Sequence, residues 1–167
     1  MKLYAQRFHL LATIAFEEYG IILAQENVER CCCGLPENIR MLREYTNDKV
    51  QFVLDLKQAR RAKVSPWEMI EAMGEENICH LHLSDYSPTC DCLPPGEGMF
   101  DFSQLWQCLR ANERNITSVI ELYHNNFAHP QQLKQGAVTI DHIAKTISKE
   151  ELHHEVPILQ RGGIQSN

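Results

Sequence analysis

The sequence predicts an α/β fold: a partial, half barrel of about four parallel βα units preceded by a helix. Three observations carry that reading. Short apolar runs rich in β-branched residues recur at 21–24, 50–54, 78–83 and 116–122, each of the length of a buried strand. Helix-start signals lie between them, and such alternation implies parallel strands joined by right-handed crossovers. The chain has 167 residues, whereas a closed eight-stranded barrel usually takes about 250.

The elements follow in order. Tyr4, Phe8, Leu11 and Ala15 fall on one helical face that Leu10 and Ile14 broaden, and Gly20 ends the segment. Pro36 opens a helix ahead of Ile39 and Leu42. Ser65 and Glu68 form a capping box with Pro66 at the first helical position, and Gly74 stands where a C-cap belongs. Asp101 with Gln104 opens the next helix in the same way. After Pro130, Leu133, Ile140, Ile143 and Ile147 mark a last helix, with Gly136 as an expected interruption. Residues 1–150 read as a single domain and 151–167 as a poorly ordered tail.

Composition narrows the function classes. Lys and Arg number 16 against 22 Asp and Glu, a net charge of −6, with 44% hydrophobic and 23% charged residues. That is the balance of one soluble globular domain. An acidic chain with no Lys/Arg block is a poor match for nucleic acid, whose recognition needs a basic surface. No run approaches a membrane span, and Met1-Lys2-Leu3 opens a charged amphipathic segment and not a signal peptide. A cytoplasmic location is expected. The seven cysteines are an odd number, and Cys31, Cys32 and Cys33 are consecutive, so neither a disulfide framework nor a zinc site of C-x2-C spacing is expected.

Each apolar run ends in a group able to bind a cation: Glu26, Asp55, His82 and Glu121. Strand alternation puts Ile22, Ala24 and Glu26 on one face, as it does Val53 with Asp55, Ile78 and His80 with His82, and Val119 with Glu121. If those faces point inward, the four side chains converge at the C-terminal rim, where this architecture builds active sites. Converging carboxylates repel one another and raise their pKa values unless a cation neutralises them. Three oxygen donors and one imidazole suit Mn²⁺, Mg²⁺ or Co²⁺, with Zn²⁺ within the same range. One carboxylate at a strand end is ordinarily a turn residue or helix cap; four cation-binding groups at four successive strand ends read as a site.

Lys57 lies one inward step beyond Asp55, able either to neutralise an anionic substrate or to pair with a ligand carboxylate. Gly96-Glu97-Gly98 follows Pro94-Pro95, a rigid rim turn or a cradle of amides for a substrate oxygen. Trp67, Trp106, Met69 and Met73 read as core, and Lys57, Arg60 and Arg61 as a solvated helix start.

Five segments together resemble the sugar phosphate isomerase/epimerase family, with its xylose isomerase-like TIM barrel. They are Gln25-Glu26-Asn27-Val28, Phe52 through Ala59, His80-Leu81-His82-Leu83-Ser84-Asp85, Leu93 through Gly98, and Val119-Ile120-Glu121-Leu122-Tyr123. The resemblance runs in order from Leu10 to Leu133. It implies that Glu26, Asp55, His82 and Glu121 are metal ligands from the second half of the barrel, and that the strands closing the barrel are absent. Two departures bear on substrate identity: Gln58 stands where many epimerases of the family have a histidine, and Ser87-Pro88 where they have an arginine.

The expected function is a divalent-metal-dependent isomerase or epimerase of a small sugar or sugar derivative, through an enediolate or a hydride shift. Glu26 and Glu121 are its acid/base pair, and Lys57, Gln58, His80 and Asp85 its substrate contacts. The alternative is a noncatalytic metal- or sugar-binding half-barrel or a truncated fragment. An endonuclease IV-like DNA repair role is disfavoured by the acidic charge and by the lack of Asp-x-His after His82. Open strand edges predict a homo-oligomer, such as a two-fold dimer, or a complementing half-barrel.

Overall fold

The computed structural model describes residues 1–111 and 113–153. Four parallel strands form one sheet in the order β1-β2-β3-β4: β1 Ala24–Glu26, β2 Gln51–Asp55, β3 Ile78–Leu83 and β4 Thr117–Ile120. Helix α1 (Lys2–Tyr19) precedes them. Helix α2 (Pro36–Thr46) joins β1 to β2, α3 (Leu56–Arg61) and α4 (Pro66–Met73) join β2 to β3, α5 (Phe102–Leu109) joins β3 to β4, and α6 (Pro130–His153) follows β4. This is the α/β partial barrel that the alternation implies.

One face of the sheet is covered. Phe52, Leu54, Leu81 and Leu83 are buried together with Ile39 and Leu42 of α2, Met69 and Met73 of α4, and Leu105 and Leu109 of α5. Each such side chain contributes roughly 1.5–3 kcal/mol by leaving water. Gln51, Val53, His80, His82 and Val119 lie outside this core and none is buried. Trp106 and both methionines take the core places expected of them.

Helix starts follow local chemistry. Asp55 caps α3 by accepting from the Gln58 amide, and Asp101 caps α5 by accepting from the Gln104 amide, each at 2.9 Å. Ser65 caps α4, but through the Trp67 amide at 3.3 Å. Gly20 closes α1 in the left-handed region, φ 65°, with its amide returned to Phe16.

Four expectations are corrected. The α1 face predicted to pack is largely exposed: Leu10 and Leu11 are each 59% accessible, and the buried residue is Ala5. The helix lies against α2, and among the described residues β1 pairs only with β2. For the same reason β1 begins at Ala24, where pairing with Gln51 starts, and Ile21 and Ile22 stay exposed.

Ile78 does not share a face with His80 and His82. The β2–β3 register slips between Phe52 and Val53, which sends Ile78 into the helix-packed core. Nor does Gly136 interrupt α6, which runs unbroken. A Cβ there would come within 3.0 Å of Pro95 and 3.3 Å of Ile120, so the glycine permits a close approach of helix to sheet and loop. The helix continues through 151–153, the first residues assigned to the tail. The rest of that expected tail, 154–167, lies outside the described residues.

Candidate metal centre

The register explains why two kinds of carboxylate meet. Asp55 pairs with His82 at one level of the sheet. Glu26 lies opposite Val53, two residues before Asp55, and Glu121 lies two residues beyond Val119, the partner of His82. The offset residues are the two with the longer side chain. Their ligand atoms and those of Asp55 and His82 all fall within 4.8 Å of one another.

Backbone contacts hold the set. Asn27, fully buried, accepts from the Asp55 amide at 2.7 Å and donates to its carbonyl at 3.0 Å, extending the β1–β2 ladder by a side chain. Glu121 donates its amide to Leu83 at 3.0 Å and so continues β4 past Ile120. Asp55 divides its oxygens: Oδ1 caps α3, and Oδ2 faces the cluster.

His82 Nδ1 stands 2.8 Å from Glu121 Oε2, 3.5 Å from Glu26 Oε1 and 3.6 Å from Asp55 Oδ2. Despite this crowding, Asp55 Oδ2, His82 Nδ1 and Glu121 Oε2 are buried without a hydrogen-bond partner. Buried polar atoms are normally satisfied. Convergent donors of this chemistry that lack a hydrogen bond fit a divalent cation.

Lys57 Nζ, almost wholly buried, lies 3.3 Å from Glu121 Oε2 and 3.5 Å from Asp55 Oδ2, and 4.7 Å from the centre of the Tyr123 ring. Of the two roles open to Lys57, the carboxylate pairing is therefore present. Electrostatics follow from this packing. Burial raises the Asp55 pKa, but contacts with His82, the Gln58 amide, Glu121 and Lys57 outweigh it and hold the group at about 2. Burial raises Glu26; His82 opposes this, while the charges of Asp55 and Glu121 add to it. The contact with Asp55 raises His82, against burial, with the acidic neighbours adding to the effect. The carboxylates thus do not all rise together, because Lys57 and His82 already supply positive charge.

The remaining substrate candidates separate. His80 Nδ1 lies 2.6 Å from Thr117 Oγ1, and its ring meets His82 edge-on at 5.2 Å. Gln58 accepts from the Glu29 amide at 3.0 Å and so ties the loop after β1 to α3. Asp85 is not brought to the cluster. Its two oxygens accept from the amides of Tyr86, Gly96, Gly98 and Phe100 at 2.8–3.0 Å. A Cβ at Gly98 would lie 2.3 Å from Asp85 Oδ1, so the Gly-Glu-Gly turn is a rigid rim element that wraps a carboxylate, and two of its amides are already spent.

Replacing Asp85 by Ala should therefore cost roughly 2–4 kcal/mol of unfolding free energy, since four amides lose a charged acceptor. Urea unfolding measures this, and a loss below about 1 kcal/mol would contradict the anchoring role.

Three residues escaped sequence reasoning. Asn27 positions Asp55. Tyr123 covers Lys57, and Arg61 donates to the Tyr123 hydroxyl at 2.9 Å and pairs with Asp91 at 2.5 Å. The available signals were a polar residue directly after Glu26 and an aromatic residue one inward step beyond Glu121. Arg61 is thus part of a packed wall and not of a solvated helix start. All seven cysteines are free thiols, and among the described residues none joins a metal-type cluster.

Comparison with known proteins agrees with this arrangement. The sequence model of the xylose isomerase-like TIM barrel family matches residues 1–147. Among solved structures, the chain is similar to that of the probable 3-DHS dehydratase AsbF involved in petrobactin synthesis from Bacillus anthracis, at 12% identity and a TM-score of 0.61. The match covers 88% of this chain and 56% of that one, so the chain spans little more than half the length of its solved neighbour. No curated protein matches.

Proposed function

We propose, on the premise that the chain belongs to the xylose isomerase-like TIM barrel family, that it is a divalent-metal-dependent isomerase or epimerase of a small sugar or sugar derivative. The observation that carries the reading is the convergence of Glu26, Asp55, His82 and Glu121, three of whose ligand atoms are buried without a hydrogen-bond partner. These residues would hold Mn²⁺, Mg²⁺ or Co²⁺, with Zn²⁺ in range of the same donors. When bound, such a cation supplies Lewis acidity that polarises a substrate carbonyl and acidifies the adjacent C–H.

Glu26 and Glu121 are the proposed acid/base pair. They lie at the ends of the two outer strands and flank Asp55 and His82, so one can remove the proton α to the carbonyl to give the enediolate while the other returns a proton to it. Asp55, clamped by Asn27 and by the α3 cap, holds position and does not move a proton. Lys57 neutralises negative charge at the carboxylates and is placed to do the same for a substrate oxygen. His80 lines the inner side of His82. Solvent-deuterium incorporation into a panel of ketoses, with and without chelator, tests the proposal; exchange that persists in the fully chelated protein would overturn it.

Association is part of the same reading. Leu10 and Leu11 of α1 and Ile21 and Ile22 ahead of β1 are exposed, and Val119 is 44% accessible on β4. Parallel sheets are normally buried on both faces, and unpaired edges invite pairing. A homo-oligomer or a complementing half-barrel would cover these surfaces. Sedimentation of the metal-loaded chain should show a dimer or larger species that loosens when metal is removed, and a compact monomer at micromolar concentration would count against it. No described helix is long and apolar enough to cross a membrane.

A further inference from the structure

A cavity of about 720 Å³ lies apart from the metal ligands, between the α3–α4 turn and the loop that follows β3. None of Glu26, Asp55, His82 or Glu121 lines it. We infer that it is a second binding site, for a small organic anion that joins a flat aromatic body to a phosphate or carboxylate group. Its volume falls in the range of small-molecule sites, which are largely apolar with a few placed polar groups.

The aromatic wall is rigid. Trp67 and Phe100 stack at 5.9 Å with their planes 14° apart. The Phe100 amide is in turn fixed to buried Asp85 at 2.9 Å. Across from them, the Arg60 guanidinium lies 3.9 Å above the Tyr86 ring and donates to the Ser87 carbonyl at 3.0 Å. That stacking fixes its plane and leaves further N–H groups for an oxyanion.

The charge balance favours an anion. Three cations, Arg60, Arg61 and Lys63, line the cavity against two carboxylates; Asp91 pairs with Arg61 at 2.5 Å, and Asp101 gives one oxygen to the α5 cap at 2.9 Å. Among the described residues, Arg60 and Lys63 are in no ion pair. Lys63 also takes a left-handed backbone conformation, φ 58°, with its amide bonded to the Arg60 carbonyl at 2.9 Å. Such a conformation is uncommon for a residue other than glycine and marks a turn held by its surroundings. An oxyanion placed between these cations would set an attached ring against Trp67, where arginine and aromatic side chains together favour flat groups.

Tryptophan fluorescence tests this on the full chain, because Trp67 lines the cavity while Trp106 is buried in the core. The probes are phenyl phosphate, benzoate, phenol and inorganic phosphate. Phenyl phosphate, benzoate or both should produce a saturable change that Trp67→Phe abolishes, and the tighter of the two identifies the preferred oxyanion. Phenol and inorganic phosphate should each bind at least about tenfold more weakly than the better ligand, as should that ligand to the Arg60→Gln/Lys63→Gln variant. Lys63→Gln alone, at an exposed position, should show part of the loss should the double variant fold poorly, and an unchanged far-ultraviolet circular dichroism spectrum certifies the fold of each. The inference is overturned if neither aromatic anion saturates, if phenol or inorganic phosphate binds as well as they do, or if loss of the two cations leaves affinity unchanged. None of these readouts depends on isomerase activity.

Discussion

One divalent cation is expected to bind per chain, and the Glu26→Gln/Glu121→Gln double variant is expected to hold none at stoichiometric concentration. The physical basis is the set of buried atoms without hydrogen bonds. Asp55 Oδ2, His82 Nδ1 and Glu121 Oε2 have none, Lys57 and His82 offset the carboxylate charge only in part, and a cation would recover more of the cost of burial. Glu121→Gln alone keeps the side chain's shape but removes one anionic donor, so affinity should fall at least about 100-fold, the upper end of what loss of a merely supporting group costs. Asn27→Ala should fall short of that, because Asn27 acts only through the Asp55 backbone. Calorimetry with Mn²⁺, Co²⁺, Mg²⁺ and Zn²⁺ in turn, followed by metal analysis of the dialysed protein, measures stoichiometry and rank. Equal metal content in the wild type and the double variant would refute the site.

The second large effect concerns proton transfer. With a ketose that turns over, the carbon α to the carbonyl should acquire deuterium from solvent, chelation should abolish the exchange, and Mn²⁺ or Co²⁺ should restore it. Glu121→Gln, assayed at saturating metal so that occupancy is restored, should still slow exchange by about 10²–10⁴, the usual contribution of a positioned acid or base. Lys57→Met should instead weaken binding and leave a smaller change in turnover, since Lys57 pairs with Asp55 and Glu121 without replacing either. Isomerisation without solvent exchange would identify a hydride shift. No turnover across a broad sugar panel would favour the noncatalytic reading.

Much of this molecule was legible from local pattern. Strand length, β-branched content and alternation determined the four parallel strands, and the polar residue closing each run named the four side chains that converge, because a strand's side-chain period of two is a property of the backbone itself. Helix caps at Asp101 and Ser65 were visible because capping acts within three residues.

What local pattern could not decide depended on neighbours distant in sequence. The slip at Phe52 and Val53 is a relation between two strands, so the core position of Ile78 could not be read from β3 alone. The exposed face of α1 has the composition of a packed one, and only its tertiary contacts, which lie with α2, show that it is bare. Asp85 resembles a substrate group by its place after β3, yet amides up to 15 residues away consume both its oxygens. Sequence by itself therefore determined the fold class, the strand count and the identity of the metal-type residues. Tertiary structure alone decided that Lys57 neutralises two of the converging carboxylates and that Asp85 holds a loop, because hydrogen-bond and charge partners are set by distances in space and not by spacing along the chain.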